Sequence, residues 1–124
     1  MIRVLVVDDH PVVRAGLEAI LRTEPGLIPV GSAEDGDALR ALLPRTRPDV
    51  IVLDRHLLTE DGLELCRALR RKPDAPAVVI YTVDPGNDLR EQAREAGAAA
   101  VIDKAVEPGV LLDALRLAGR KAPA

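Results

Sequence analysis

Five short, nearly unbroken apolar runs punctuate the chain, at residues 1–7, 27–32, 50–53, 77–81 and 99–102. They are rich in Val, Ile, Leu and Ala and do not alternate apolar with polar, as a strand with one wet face would. They predict strands buried on both faces. The second run is the weakest: Pro29 removes a ladder donor, which places that strand at a sheet edge.

Stretches with helical spacing separate the runs. Pro11 stands where a first helical residue would, and Val13, Leu17, Ile20 and Leu21 share a face before Pro25-Gly26 stops the helix. Residues 35–43 carry Ala38, Leu39, Leu42 and Leu43, and this helix is predicted to close at Pro44. Residues 61–71 repeat Leu65 and Leu69 and end in Arg70-Arg71-Lys72, a solvated run that suits the helix dipole. Pro85-Gly86 and Asn87-Asp88 open a helix to residue 96, capped by Gly97. The last helix, 107–117, has Val110, Leu111, Ala114 and Leu115 on one side. Strand then helix, five times over, predicts an α/β fold with a parallel sheet covered on both faces. Residues 1–118 make one domain. The small and polar residues 119–124 read as a tail or the start of an interdomain linker.

Composition narrows this picture. The 124 residues suffice for one domain with a real core. Tyr81 is the single aromatic, so that core must be aliphatic. A net charge of −3 gives no electrostatic reason for direct nucleic-acid or membrane contact. Cys66, the one cysteine, forms no internal disulfide and falls beside Leu65 on an apolar stripe, a core position. No signal-peptide pattern opens the chain, and no apolar stretch nears the ~20 residues that span a bilayer. These features predict a soluble, cytoplasmic protein.

The chemistry lies where the apolar runs end. The first ends in Asp8-Asp9, the third in Asp54, the fourth in Thr82, and the fifth is followed by Asp103 and Lys104. Ligands of open parallel sheets sit beyond the carboxyl ends of the strands. A single such Asp is usually a cap or turn former. Together, acid pair, acid, hydroxyl and amine describe a site. Neighbouring carboxylates repel and resist losing water, so a cation is expected between them. Without a neighbouring His or Cys, such a cluster favours a hard ion, Mg²⁺ (or Mn²⁺), held directly by Asp9 and Asp54 and through a water by Asp8. Open positions on the ion accept phosphoryl oxygens. Lys104 offers them a positive charge or holds a carboxylate in place, Thr82 donates a hydroxyl, and Asp54 becomes the nucleophile of an acyl phosphate.

These residues carry a family resemblance. Val4-Leu5-Val6-Val7-Asp8-Asp9-His10, Asp49-Val50-Ile51-Val52-Leu53-Asp54, Asp61-Gly62, Thr82, Ala96-Gly97-Ala98 and Asp103-Lys104 together resemble the receiver domain of a bacterial two-component response regulator, from residue 2 to about 118. The stretch from Asp9 through His10-Pro11 to Leu17 is similar to the LuxR/NarL-like subfamily, whose members end in a helix-turn-helix. The resemblance implies a flavodoxin-like (βα)5 three-layer sandwich with strand order 2-1-3-4-5. It implies that Asp54 accepts a phosphoryl group from a sensor histidine kinase, and that Asp8, Asp9, Asp54 and the backbone carbonyl of His56 hold Mg²⁺. It further implies that Thr82 and Lys104 meet the phosphoryl group, and that the new charge switches a surface around the fourth strand, fourth helix and fifth strand. The output is then transcription through a DNA-binding domain, with homodimerisation on activation. The chain is a regulator in this reading, not an enzyme beyond assisting its own phosphorylation and dephosphorylation.

Some residues depart from the family pattern. Leu58 and Thr59 replace the usual Pro and Gly after the acceptor, Val83 replaces a small residue, Val101 replaces a switch aromatic, and Ala105 replaces a proline often held in cis. These touch the signalling output, and leave a stand-alone or non-phosphorylated receiver acting by protein contact as the alternative. A flavin carrier would want a glycine- and hydroxyl-rich loop after the first strand, and a dehalogenase-type phosphatase would want Asp-x-Asp there; Asp8-Asp9-His10 is neither. His10 is expected to pack or cap near the first helix. The His56 side chain is expected to be exposed and without a role.

Overall fold

The computed structural model describes residues 1–120. The elements are β1 (Ile2–Val7), α1 (Pro11–Thr23), β2 (Leu27–Ala33), α2 (Gly36–Thr46), β3 (Val50–Leu53), α3 (Gly62–Arg70), β4 (Ala77–Thr82), α4 (Asn87–Glu95), β5 (Ala100–Asp103) and α5 (Pro108–Arg120). The strands form one parallel sheet in the order β2-β1-β3-β4-β5. This is the predicted three-layer α/β sandwich with its predicted strand order.

The sheet divides the core in two because successive strand side chains point to opposite faces. Leu5, Val7, Ile51, Leu53, Val78 and Ile80 pack with Leu39 of α2, Leu65, Cys66 and Leu69 of α3, and Leu89 and Ala93 of α4. Val4, Val6, Val50, Val52, Val79 and Tyr81 pack on the other side with Leu17 and Leu21 of α1 and Leu111 and Leu115 of α5. Both faces are dry, which is why the strands read as continuous apolar runs. From β1 the chain steps outward over α1 to β2, then back over α2 to β3. The direction reverses between β1 and β3, opening a crevice at their carboxyl ends.

β2 is the predicted edge strand. Val4 pairs with Pro29 and Leu5 with Gly31, so Val30 is the extra residue of a bulge. Proline is tolerated there because an edge and a bulge both spare a ladder donor.

Two boundaries differ from the sequence expectation. Pro44 does not close α2 but lies inside it. Its ring is on the exposed face, as is Arg40, whose carbonyl loses a partner to the missing N–H. The last turn is held instead by the Thr46 hydroxyl donating to the Leu42 carbonyl at 2.8 Å, and by the N–H of left-handed Arg47 donating to Leu43. At the other boundary, α5 continues through Gly119 to Arg120, two residues past the expected domain end. Gly119 is buried, and a Cβ there would press into the Ile2 side chain. Residues 121–124, the rest of the expected tail, lie outside the described residues. Among those described, no helix is long and apolar enough to cross a membrane.

Cys66 is fully buried, with its Sγ donating to the Ala96 carbonyl at 3.6 Å. Burial pushes its pKa up to about 11, against the pull of Arg70 and Arg67. A buried neutral thiol is inert. The native protein at pH 8 should therefore resist an aromatic disulfide reagent, with labelling that follows unfolding as urea is raised. Rapid stoichiometric labelling without urea would contradict this packing.

Candidate functional site

Strand register assembles the site. Val7 and Leu53 are paired neighbours, and the Asp54 N–H donates to the Val7 carbonyl at 3.0 Å. Asp8 and Asp9, next after Val7, therefore face Asp54 across the crevice between β1 and β3. On the far side, Thr82 pairs with Asp103, and the Lys104 N–H donates to the Thr82 carbonyl at 2.8 Å. Asp8, Asp54 and Thr82 are 2%, 3% and 1% exposed, a degree of burial that isolated charges do not tolerate.

Lys104 resolves part of the conflict. Its Nζ lies 2.6 Å from Asp8 Oδ2 and 3.2 Å from Asp54 Oδ2. Of the two roles read from the sequence, contact with a carboxylate is the one this geometry displays. Burial pushes the ammonium pKa down, but the Asp8 hydrogen bond and the Asp54 charge outweigh it, and the net direction is up. The ammonium also lies 5.8 Å from the centre of the Tyr81 ring. Burial raises the Tyr81 phenol, with Lys104 opposing.

His10 departs from expectation. It is the capping residue of α1 by position, yet its side chain makes no cap hydrogen bond. The ring turns toward the acids. Nδ1 is 2.7 Å from Asp8 Oδ1, 3.1 Å from Asp9 Oδ1 and 3.8 Å from Asp54 Oδ2. The backbone N–H of His10 donates to the same Asp8 oxygen at 2.9 Å. Both Asp8 oxygens are thus engaged, one by His10 and one by Lys104. The reason is electrostatic: three carboxylates draw in the nearest group able to donate a proton. The signal was in the sequence, since His10 directly follows the acid pair.

Among the described residues, two buried polar atoms have no hydrogen-bond partner, Asp9 Oδ1 and Thr82 Oγ1. The Asp9 oxygen lies 3.1 Å from His10 Nδ1 without forming a hydrogen bond to it. Buried orphans are costly, and in a functional cleft they mark where an absent group binds. Donor atoms of Asp8, Asp9, His10 and Asp54 all lie within 4.8 Å of one another. The residues present therefore fit a small, hard cation.

The loop after β3 completes the rim. The His56 N–H donates to Asp54 Oδ1 at 3.2 Å, and His56 bridges to Asp61, whose carboxylate caps α3 through the Leu63 N–H. The His56 side chain is exposed. Gly62 has a steric duty that sequence inspection missed: a Cβ there would run into the Asp54 carbonyl oxygen and stand 2.8 Å from Arg55 Cα. Only glycine lets α3 start so close beneath the Asp54 backbone. Among the departures, Leu58 and Val83 are exposed at 86% and 63%, while Val101 is half-buried against the core on the α2–α3–α4 face. The described peptide bonds, Lys104–Ala105 included, are all trans.

Comparison with known proteins agrees with this geometry. A family model described as response regulator receiver domain matches residues 4–116. The chain is 34% identical over 123 residues to the transcriptional regulatory protein LiaR of Bacillus subtilis, covering 99% of this chain and 58% of LiaR. It is 37% identical over 119 residues to the nitrate/nitrite response regulator protein NarP of Escherichia coli, covering 96% and 55%. The chain thus spans a little over half the length of these curated relatives. Among solved structures, the signal receiver domain of the NarL response regulator from Mycobacterium tuberculosis superposes with a TM-score of 0.89 at 28% identity, covering 97% of each chain.

The ion pairs and the glycine contact yield three expected outcomes. Lys104→Met leaves Asp8 and Asp54 buried without their cation, and should cost about 3–5 kcal/mol in urea unfolding at pH 7, partly recovered by saturating Mg²⁺; a loss below about 1 kcal/mol would show that Lys104 does not support the pair. Gly62→Ala should lower stability by about 2–3 kcal/mol, and an unchanged urea midpoint would refute the close approach. Lys104, Tyr81 and Cys66 all have raised folded-state pKa values. Each favours its protonated form in the folded state, so the stability it contributes is whole below its ordinary pKa and is lost as pH rises through the folded value. The urea midpoint should hold near pH 8 and fall steadily above pH 9, the ordinary value of the Cys66 thiol; a midpoint that rises in that range would overturn the assignment.

Proposed function

Because this chain belongs to the response regulator receiver domain family, of the LuxR/NarL type, we propose that it relays a two-component signal by accepting a phosphoryl group on Asp54 from the phosphohistidine of a sensor histidine kinase. The supporting observation is the buried constellation itself, Asp8 and Asp54 bridged by Lys104 beside two orphaned oxygens.

In this reading Asp9 and Asp54 hold Mg²⁺ (or Mn²⁺) directly, Asp8 acts through a water, and the His56 carbonyl completes the protein ligands. The orphaned Asp9 Oδ1 is the oxygen free to bind, whereas both Asp8 oxygens already have partners. Bound there, the ion supplies positive charge that offsets the three carboxylates and the incoming phosphoryl oxygens. Asp54 attacks phosphorus as its bond to the donor imidazole nitrogen breaks, and that nitrogen keeps the electron pair. Lys104, already 3.2 Å from Asp54, turns to a phosphoryl oxygen. The Thr82 hydroxyl, buried without a partner, donates to another. A phosphoryl group brings about −1.5 to −2 charge, which biases the surface of β4, α4 and β5 between two states. Arg90 of α4 donates to the Val101 carbonyl of β5 at 2.9 Å, which ties two of these elements together.

The output in this reading is transcription, through a DNA-binding domain joined by a linker beyond α5, with homodimerisation on activation in the cytoplasm. Curated relatives nearly twice as long support it. Val101 in the aromatic position favours a second reading, a receiver that acts by protein contact alone.

With Mg²⁺ and phosphoramidate or acetyl phosphate, intact-mass spectrometry should show one added phosphoryl group, lost in Asp54→Ala and after chelation. No added mass with either donor or with a kinase, or equal labelling of Asp54→Ala, would sink this reading.

A further inference from the structure

His10 is the member of the acid cluster that the phosphoryl chemistry leaves unused. The geometry points to His10 Nδ1 as an additional protein donor to the cation held by Asp9 and Asp54, making a mixed imidazole and carboxylate centre that selects a first-row transition divalent ion over magnesium. This inference rests on the reading of these acids as a cation site.

Three observations carry it. First, the donors are near enough to share a centre. Nδ1 stands 3.1 Å from Asp9 and 3.8 Å from Asp54, against about 3.0 Å for cis donors on a six-coordinate ion at ~2.1 Å, and donor atoms of Asp8, Asp9, His10 and Asp54 all lie within 4.8 Å of one another. Second, Nδ1 bonds Asp8 Oδ1 at 2.7 Å and leaves Asp9 Oδ1, 3.1 Å away, buried without a hydrogen bond, so a third atom between Nδ1 and that oxygen would satisfy it. Third, the ring is free to leave its present partner. The His10 backbone N–H and Lys104 keep both Asp8 oxygens bonded when Nδ1 turns to an ion. The side chain is 61% exposed, so a small rotation meets little resistance. The ring proton then resides on Nε2.

Chemistry sets the preference. Magnesium takes oxygen ligands and keeps its waters, whereas imidazole suits Fe, Ni and Zn, and affinity rises along the first row from Mn²⁺ toward Cu²⁺. A neutral nitrogen adds affinity for those ions and little for magnesium. The sequence places this donor where it must fall, at the residue after the acid pair and at the entry of α1.

The test uses the 124-residue chain with Co²⁺ and Mg²⁺ as separate probes. Calorimetry gives the ratio of the two dissociation constants for the wild type, His10→Ala and His10→Asn. The Asn variant supplies a capping side chain at the start of α1 and removes the imidazole nitrogen. Both variants should lower the preference for Co²⁺ by about tenfold or more, while Mg²⁺ affinity changes by less than about twofold. Proton NMR of the wild-type Co²⁺ complex should show a strongly shifted exchangeable imidazole N–H, absent in both variants. An unchanged ratio in the variants, or no shifted imidazole proton in the wild type, would overturn the inference. If Mg²⁺-dependent phosphorylation of Asp54 persists alongside such a result, this inference alone fails. If neither ion binds and Asp54 takes no phosphoryl group, the underlying reading fails with it.

Discussion

Carboxylates at the ends of two adjoining strands cannot share a dry crevice unless positive charge stands among them. Asp8 and Asp54 are almost wholly buried, and Asp9 is partly exposed, with one buried, orphaned oxygen. Lys104 reaches across from the end of β5 to touch two of the three. One lysine against three acids leaves a deficit, and the site answers it by drawing in the proton donors of His10. The remaining deficit is the physical reason these residues could hold a cation.

That balance depends on the sheet. Asp8 and Asp54 face each other because Val7 and Leu53 are in register, and Lys104 meets them because Thr82 and Asp103 are. A slip of one residue on any of the four strands would turn a site residue to the other face. Register is held by burial on both faces, since Val4, Leu5, Val6 and Val7 are each fully buried. The aliphatic core is therefore also the jig that aligns the chemistry. Gly62 adds a constraint from below, where α3 begins against the Asp54 backbone.

The two faces of the sheet also set how a change at the site is felt. Tyr81 precedes Thr82 and packs with α1 and α5, near the Lys104 ammonium. Val101 packs on the opposite face with α2, α3 and α4. The single aromatic ring thus sits on the α1–α5 side, while aliphatic Val101 stands on the other. A shift of Lys104 alters the field at the Tyr81 ring directly.

Much of this was legible in the sequence. Unbroken apolar runs marked five strands because both faces of the sheet are dry, and helical spacing marked the segments between them. Asp8, Asp9, Asp54, Thr82 and Lys104 could be singled out because each follows an apolar run. Strand order came from family likeness, since periodicity reports burial but not neighbours. Pro44 misled because a proline on the exposed face of a last turn is tolerated when Thr46 and Arg47 satisfy the end of the helix. What only the tertiary structure decided was contact: that Lys104 bridges Asp8 and Asp54, that Gly62 lies under Asp54, and that the His10 ring turns inward. Those contacts join residues up to 96 positions apart, and a local pattern carries no information about which distant charges a fold will bring within 3 Å.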